Sequence, residues 1–185
     1  MIVGVDPGAR NTAVLSISDS GAVCAVTVHN EGLLLPVPRD YLTRVVQEIH
    51  DMIRGVDEAV TVRVEGVTRP NWHVAKAAGG GSASNPEALL GTAQVLGAVL
   101  SHFPCEVVAP GGHGSKPMGA YPAELVSDGE RRRPGWELRV GTGKLRHQRS
   151  AWDIAHTPPV GRAAPTPVTL VGQPADTQPA DREDA

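Results

Sequence analysis

An α/β fold built on one mixed sheet follows from three features of the sequence. Three short apolar runs near the N-terminus are separated only by tight turns, which implies an antiparallel meander. From about residue 38 onward, helical and strand-like patterns alternate, which implies crossover connections and parallel pairing. The chain has 185 residues, 41% of them apolar, enough for one core with some length left over.

The first strands are expected at 2–6, 12–18 and 22–28, divided by Pro7-Gly8 and by Asp19-Ser20-Gly21. Pro38 to Arg54 places Tyr41, Leu42, Val45, Val46, Ile49, Met52 and Ile53 at helical spacing and closes at Gly55. Ala59 to Val64 alternates as a strand and runs into Glu65, after which residues 66–85 read as a long loop containing Gly79-Gly80-Gly81-Ser82. A helix over 86–102 starts at Pro86 with Asn85 as its cap, because an Asn oxygen accepts from the free N–H groups of the first turn. Glu106 to Ala109 is a short strand, 110–140 is rich in Gly, Pro and charge with one helical turn at Pro122–Val126, and a last helix spans Lys144 to His156. Beyond Pro158-Pro159 the composition turns to Ala, Pro, Thr and Asp, so residues 158–185 are expected to be a disordered tail behind a domain of residues 1–157.

Composition narrows the function classes. No run of 18 apolar residues occurs, so no membrane span is expected, and the opening residues lack the pattern of a signal peptide. Cys24 and Cys105 lie in Val- and Ala-rich surroundings and read as small buried residues of a reducing compartment, which points to the cytoplasm. The net charge is −3, but it is uneven. Residues 110–150 carry eight basic side chains against four acidic ones, an excess of +4 able to neutralise phosphates.

Three carboxylates stand out. Asp6 interrupts the apolar run Ile2-Val3-Gly4-Val5 where another Val or Ile would be ordinary, although an Asp before Pro-Gly also suits a turn. If the first strand is central and the fourth lies beside it, Asp6 and Glu65 end neighbouring strands at one sheet edge. A last helix packed across the sheet through Ala151, Ile154 and Ala155 would bring Asp153 to the same edge. Carboxylates from three separate elements make a hard oxygen site suited to Mg²⁺ or Mn²⁺, and two such ions about 4 Å apart activate water and stabilise the leaving oxygen of a phosphodiester.

Five blocks in order, Gly4-Val5-Asp6-Pro7-Gly8, Val64-Glu65-Gly66, Asn85-Pro86-Glu87-Ala88-Leu89-Leu90-Gly91-Thr92-Ala93, Tyr121-Pro122-Ala123-Glu124-Leu125-Val126 and Arg146-His147-Gln148-Arg149-Ser150-Ala151-Trp152-Asp153-Ile154-Ala155, resemble the RuvC-type Holliday-junction resolvases. The likeness is strongest to divergent versions from actinobacteria and their phages. It implies an RNase H-like fold, a two-fold homodimer, and hydrolysis of symmetric strands at four-way DNA junctions with Mg²⁺ or Mn²⁺. By position it implies that Asp6, Glu65 and Asp153 hold metal. Where the family offers an Asp or His three residues before the final Asp, this chain has Ser150, a poor metal ligand. His147, one turn earlier and about 60° around the helix, is the candidate to supply the missing catalytic group or to position water; the competing reading is a phosphate contact or a cap on local packing.

The loop after Glu65, which in that family reaches the junction centre, offers Arg69, Asn71, Trp72, His73 and Lys76, with Trp72 placed to stack on an unpaired base or to cover the core rim. Lys144, Arg146 and Arg149 flank the site as phosphate contacts. Arg131-Arg132-Arg133 reads as a duplex grip or a solvated turn, and His113 as an isolated loop histidine. Small residues Gly91, Ala93, Gly97 and Ala98 suit close packing at a dimer interface. Two other readings compete with a junction endonuclease. One is a junction-binding protein of weak catalytic power, motivated by Ser150; the other is an actin-like ATPase or sugar kinase, whose opening strand Gly-Val-Asp-Pro-Gly also resembles but which needs two such domains.

Overall fold

The computed structural model describes residues 1–67 and 85–161. Arg69, Asn71, Trp72, His73, Lys76, the glycine run at 79–81 and all but the first four residues of the expected tail lie outside them.

Five strands form one sheet: β1 (Ile2–Asp6), β2 (Asn11–Ile17), β3 (Val23–His29), β4 (Thr61–Glu65) and β5 (Cys105–Val108). Their order is β3-β2-β1-β4-β5, with the meander antiparallel and β1, β4 and β5 parallel to one another. The helices are α1 (Arg39–Ile53), α2 (Pro86–His102), a short α3 (Asp128–Arg131) and α4 (Arg146–His156). The mixed α/β class and the central first strand are thus as the sequence implies.

Strand alternation divides the sheet into two unlike faces. Val3 and Val5 of β1, Val14 of β2, and Val62 and Val64 of β4 point to one side and pack with Tyr41, Val45 and Ile49 of α1 and Val95 and Val99 of α2. Each such side chain contributes about 1.5–3 kcal/mol by leaving water. On the opposite side lie Gly4 and Asp6, beside Ala13 and Leu15 on β2 and Arg63 on β4. There Ala13 and Leu15 meet Ala151 of α4 and a loop cluster of Met118, Tyr121, Leu125 and Val126.

Gly4 is the seat of α4. A β-carbon there would stand 2.1 Å from the Ala151 carbonyl oxygen and 3.0 Å from the Ala155 methyl. The helix backbone therefore lies directly on β1, and its fully buried Ala151, Ile154 and Ala155 face the sheet. Arg63, paired with Gly4 across the sheet, donates to the Ala155 carbonyl (2.7 Å) and binds Glu106 (2.9 Å). The Asn85 side chain caps α2 by accepting from the Glu87 N–H.

Residues 110–145 carry more structure than their Gly, Pro and charge content implies. Single 3₁₀ turns occur at Met118–Ala120, Ala123–Leu125 and Trp136–Leu138, and Ser127 and Glu130 form a reciprocal capping box at α3. Three expectations fail. Cys24 is exposed: its register with Ser16 and Val3 sets it on the α1/α2 face, but on the outermost strand of the sheet, whereas Cys105 is half-buried with its thiol pushed up to about 11 by burial. Gly91 serves the chain's own packing, against the Leu34 carbonyl and Val37, instead of a second copy. α4 opens at Arg146 rather than Lys144. No helix among the described residues is long and apolar enough to cross a membrane.

Candidate active site

The carboxyl ends of β1, β4 and β5 share one edge, the usual address of a ligand in a sheet with parallel strands. Val5 pairs with Val64, so Asp6 and Glu65 each stand one step further on strands about 4.8 Å apart and on the same face. That face is the one covered by α4, whose Asp153 is nearly fully buried. Asp6 and Glu65 thus end neighbouring strands beneath α4, and Asp153 lies on the buried side of that helix.

The turn that carries Asp6 is braced from behind. Tyr41 donates its hydroxyl to the Gly8 carbonyl (2.8 Å), and the same oxygen lies 2.7 Å from the Thr12 hydroxyl. Thr12 in turn bonds both the Gly8 N–H and its carbonyl. Burial raises the Tyr41 hydroxyl to about 12, so this brace keeps its proton over the whole working range of pH.

Each carboxylate has its own partner. Asp6 Oδ2 meets His147 Nδ1 at 3.0 Å, so His147 of α4 lies against the carboxylate that ends β1. Glu65 Oε1 accepts from the Gly111 N–H (3.0 Å) and lies 2.8 Å from His113 Nδ1. Asp153 Oδ2 accepts from the Gly114 N–H and the Tyr121 hydroxyl, both at 2.9 Å, and its Oδ1 takes Lys116 Nζ at 2.7 Å. Burial first, then the bond to Asp153, raises the Tyr121 hydroxyl to about 12, keeping it a proton donor.

His113, Lys116, Gly114 and Tyr121 are the site residues that motif reading passed over. The signal for them was topological: a third parallel strand ending at Val108 delivers the residues that follow to the same edge as Asp6 and Glu65. Gly114 adopts φ +73°, and a β-carbon there would press on the Arg146 carbonyl and the Ser150 N–H of α4. Only glycine lets this loop lie flat on the helix while its own N–H reaches Asp153.

The basic side chains divide by role. Lys144 and Arg146 are exposed and line a cleft of about 420 Å³ beside His147, with Asn11, Thr27 and His29 on its other wall. A second cleft of about 560 Å³ opens on the other side, between Glu65 and the start of α2. Arg149 does not contact phosphate. It is 0% exposed, bonds Glu130 through two nitrogens (3.2 and 3.4 Å), and donates to the Leu125 carbonyl (2.9 Å). The helical register that aims His147 and Asp153 at the sheet edge turns Arg149 under the 118–145 segment. Arg131 is likewise spent on the Val126 and Ala123 carbonyls, while Arg132 and Arg133 are solvated.

The donor chemistry suits a hard divalent cation, since β1, β4 and α4 each contribute a carboxylate. Among the described residues, no group of three or more His, Cys, Asp or Glu side chains is close enough to share an ion. Protein groups partner the carboxylate oxygens instead.

No protein-family model matches the sequence, and no curated protein matches it. Among solved structures, the chain is similar to Thermus thermophilus RuvC, with 20% identity, 83% of this chain and 90% of that one covered, and a TM-score of 0.44. It is also similar to T. thermophilus RuvC in complex with Holliday junction substrate, with 14% identity, coverage of 83% and 88%, and the same TM-score of 0.44.

Proposed function

We propose that the chain is an endonuclease that resolves four-way DNA junctions with Mg²⁺ or Mn²⁺. The observation that supports this reading is that Asp6 and Glu65 end β1 and β4 on the face covered by α4, whose buried side carries Asp153, with an open cleft on either side. A divalent ion held by these three would supply Lewis acidity to the phosphodiester and acidify an attacking water. The chain's own residues do the rest. His147 orients Asp6, Gly111 and His113 hold Glu65, and Tyr121 and Gly114 fix Asp153. Lys144 and Arg146 bind the backbone phosphates next to the scissile one. Arg69, Asn71, Trp72 and Lys76 belong to this reading as contacts to the junction centre.

Cutting symmetric strands requires two copies of the site, so the active species is a homodimer. The exposed Leu90, Gly97 and Leu100 of α2 offer the face for it, and sedimentation equilibrium should return twice the chain mass. Residues 1–157 form the working unit. Truncation before residue 163 removes −3 of charge and should leave cutting intact or tighten DNA binding slightly.

The test is a panel of four-way, forked and linear DNAs in Mg²⁺ or Mn²⁺ with products mapped to the nucleotide. Paired incisions across the junction centre, with the linear duplex intact, are expected; equal nicking of linear duplex contradicts junction selectivity. Ser150 and the pairing of every carboxylate with a protein donor favour one alternative, a junction-binding protein with little catalysis. It predicts tight binding without Mg²⁺ and no products with it.

A further inference from the structure

The segment Gly111–Lys116 supplies four donors to two carboxylates of the site: two N–H groups, one imidazole and one ammonium. The ammonium differs from the others. Asp153 Oδ2 is saturated by Gly114 and Tyr121, which leaves Oδ1 as the oxygen open to a cation, and Lys116 Nζ stands 2.7 Å from it. The Lys116 side chain is 60% exposed and the Asp153 side chain 3%. The lysine can swing into water, whereas the carboxylate is fixed. Its backbone would stay behind, because the Lys116 N–H bonds the Tyr121 hydroxyl at 3.1 Å. A buried carboxylate stripped of its counter-charge is costly, so a departing ammonium has to be replaced.

We propose that Lys116 is a built-in counter-cation that holds the metal position of Asp153, so that Lys116 and a divalent ion compete for Oδ1. This rests on the reading of the three carboxylates as a metal site. Release of Lys116 would free Oδ1 of Asp153 for a divalent ion. Lys116 is a positioning residue in this role. It supplies the counter-charge of buried Asp153 when no ion is bound and sets how tightly the ion binds.

Mn²⁺ binding to the full chain and to Lys116→Met, followed by electron paramagnetic resonance of free Mn²⁺, tests this without any activity readout. Met keeps the length of the side chain and removes its charge. The variant should bind Mn²⁺ about tenfold more tightly, the scale of a hydrogen bond to a charged group. Its melting temperature should be lower without metal and recover more on adding Mn²⁺. Equal or weaker Mn²⁺ affinity in Lys116→Met overturns the proposal while leaving the metal site standing. Binding by neither protein, with Asp153→Asn indistinguishable from both, removes the metal reading and the proposal together. Should the variant fail to fold, the parent chain still decides. Acylation of the Lys116 amine, read by mass spectrometry, should rise on adding Mn²⁺, and an unchanged yield contradicts release of the ammonium.

Discussion

The two faces of the sheet are built on opposite principles. One is a layer of valines under α1 and α2, where shape and apolar area do the work and nearly any close-packed hydrophobic set would serve. The other carries buried Asp153, Glu130 and Arg149, with Gly4 and Gly114 thinning the contact with α4. The first face stabilises the fold. The second spends part of that stability on holding buried charges in fixed places, and it is the more fragile one.

Substitutions on each face should separate the two. The largest loss is expected from Arg149→Leu, which leaves Glu130 buried without its cation and should cost about 3–5 kcal/mol in urea unfolding. Because Arg149 sits between His147 and Asp153, junction cutting should fall with it; a stable, fully active variant would show that the pair is dispensable. On the valine face, Val64→Ala should cost about 2–3 kcal/mol. At a temperature where it stays folded, its cutting rate should be near normal, and a large loss of rate would deny the separation of roles. Gly4→Ala sets a methyl against the Ala151 carbonyl and should cost about 1–3 kcal/mol, with a loss of cutting out of proportion as α4 shifts off β1. Tyr121→Phe removes one donor to Asp153 and should cost about 1 kcal/mol.

The smallest effect is one of pH. Burial pushes the Glu130 carboxyl up, but the N–H and hydroxyl of Ser127 and the Arg149 guanidinium outweigh it and hold the group below its ordinary value of 4.5. Its stabilisation is complete above that value and fades as pH falls through the lower folded one. Amide exchange in 118–131 should therefore quicken in mild acid before exchange in β1 and β4 does. Simultaneous loosening of both would place the acid-sensitive group elsewhere.

The same contrast governs what could be read without coordinates. The valine face declares itself in the sequence, because period-2 and period-3.6 spacing state both the element and the buried side. So do Asp6 and Glu65, since each closes an apolar strand with a charge. Asp153 was legible through its neighbours Ala151, Ile154 and Ala155, which fix the side of α4 that meets the sheet. His113 and Lys116 were not, because their importance comes from where β5 ends and not from any local pattern. Arg149 misled for a related reason. Its spacing from Arg146 gave no sign that one side chain faces solvent and the other Glu130, and Glu130 lies in a segment whose Gly, Pro and charge content masks its order.

The central claim is that Asp6, Glu65 and Asp153 act together on a phosphodiester. The most direct measurement is cleavage of a synthetic four-way junction in Mg²⁺ and in Mn²⁺ by Asp6→Asn, Glu65→Gln and Asp153→Asn, beside junction affinity by fluorescence anisotropy. Each variant should lose cutting and keep its affinity. A near-parental rate in any one of them would contradict the claim.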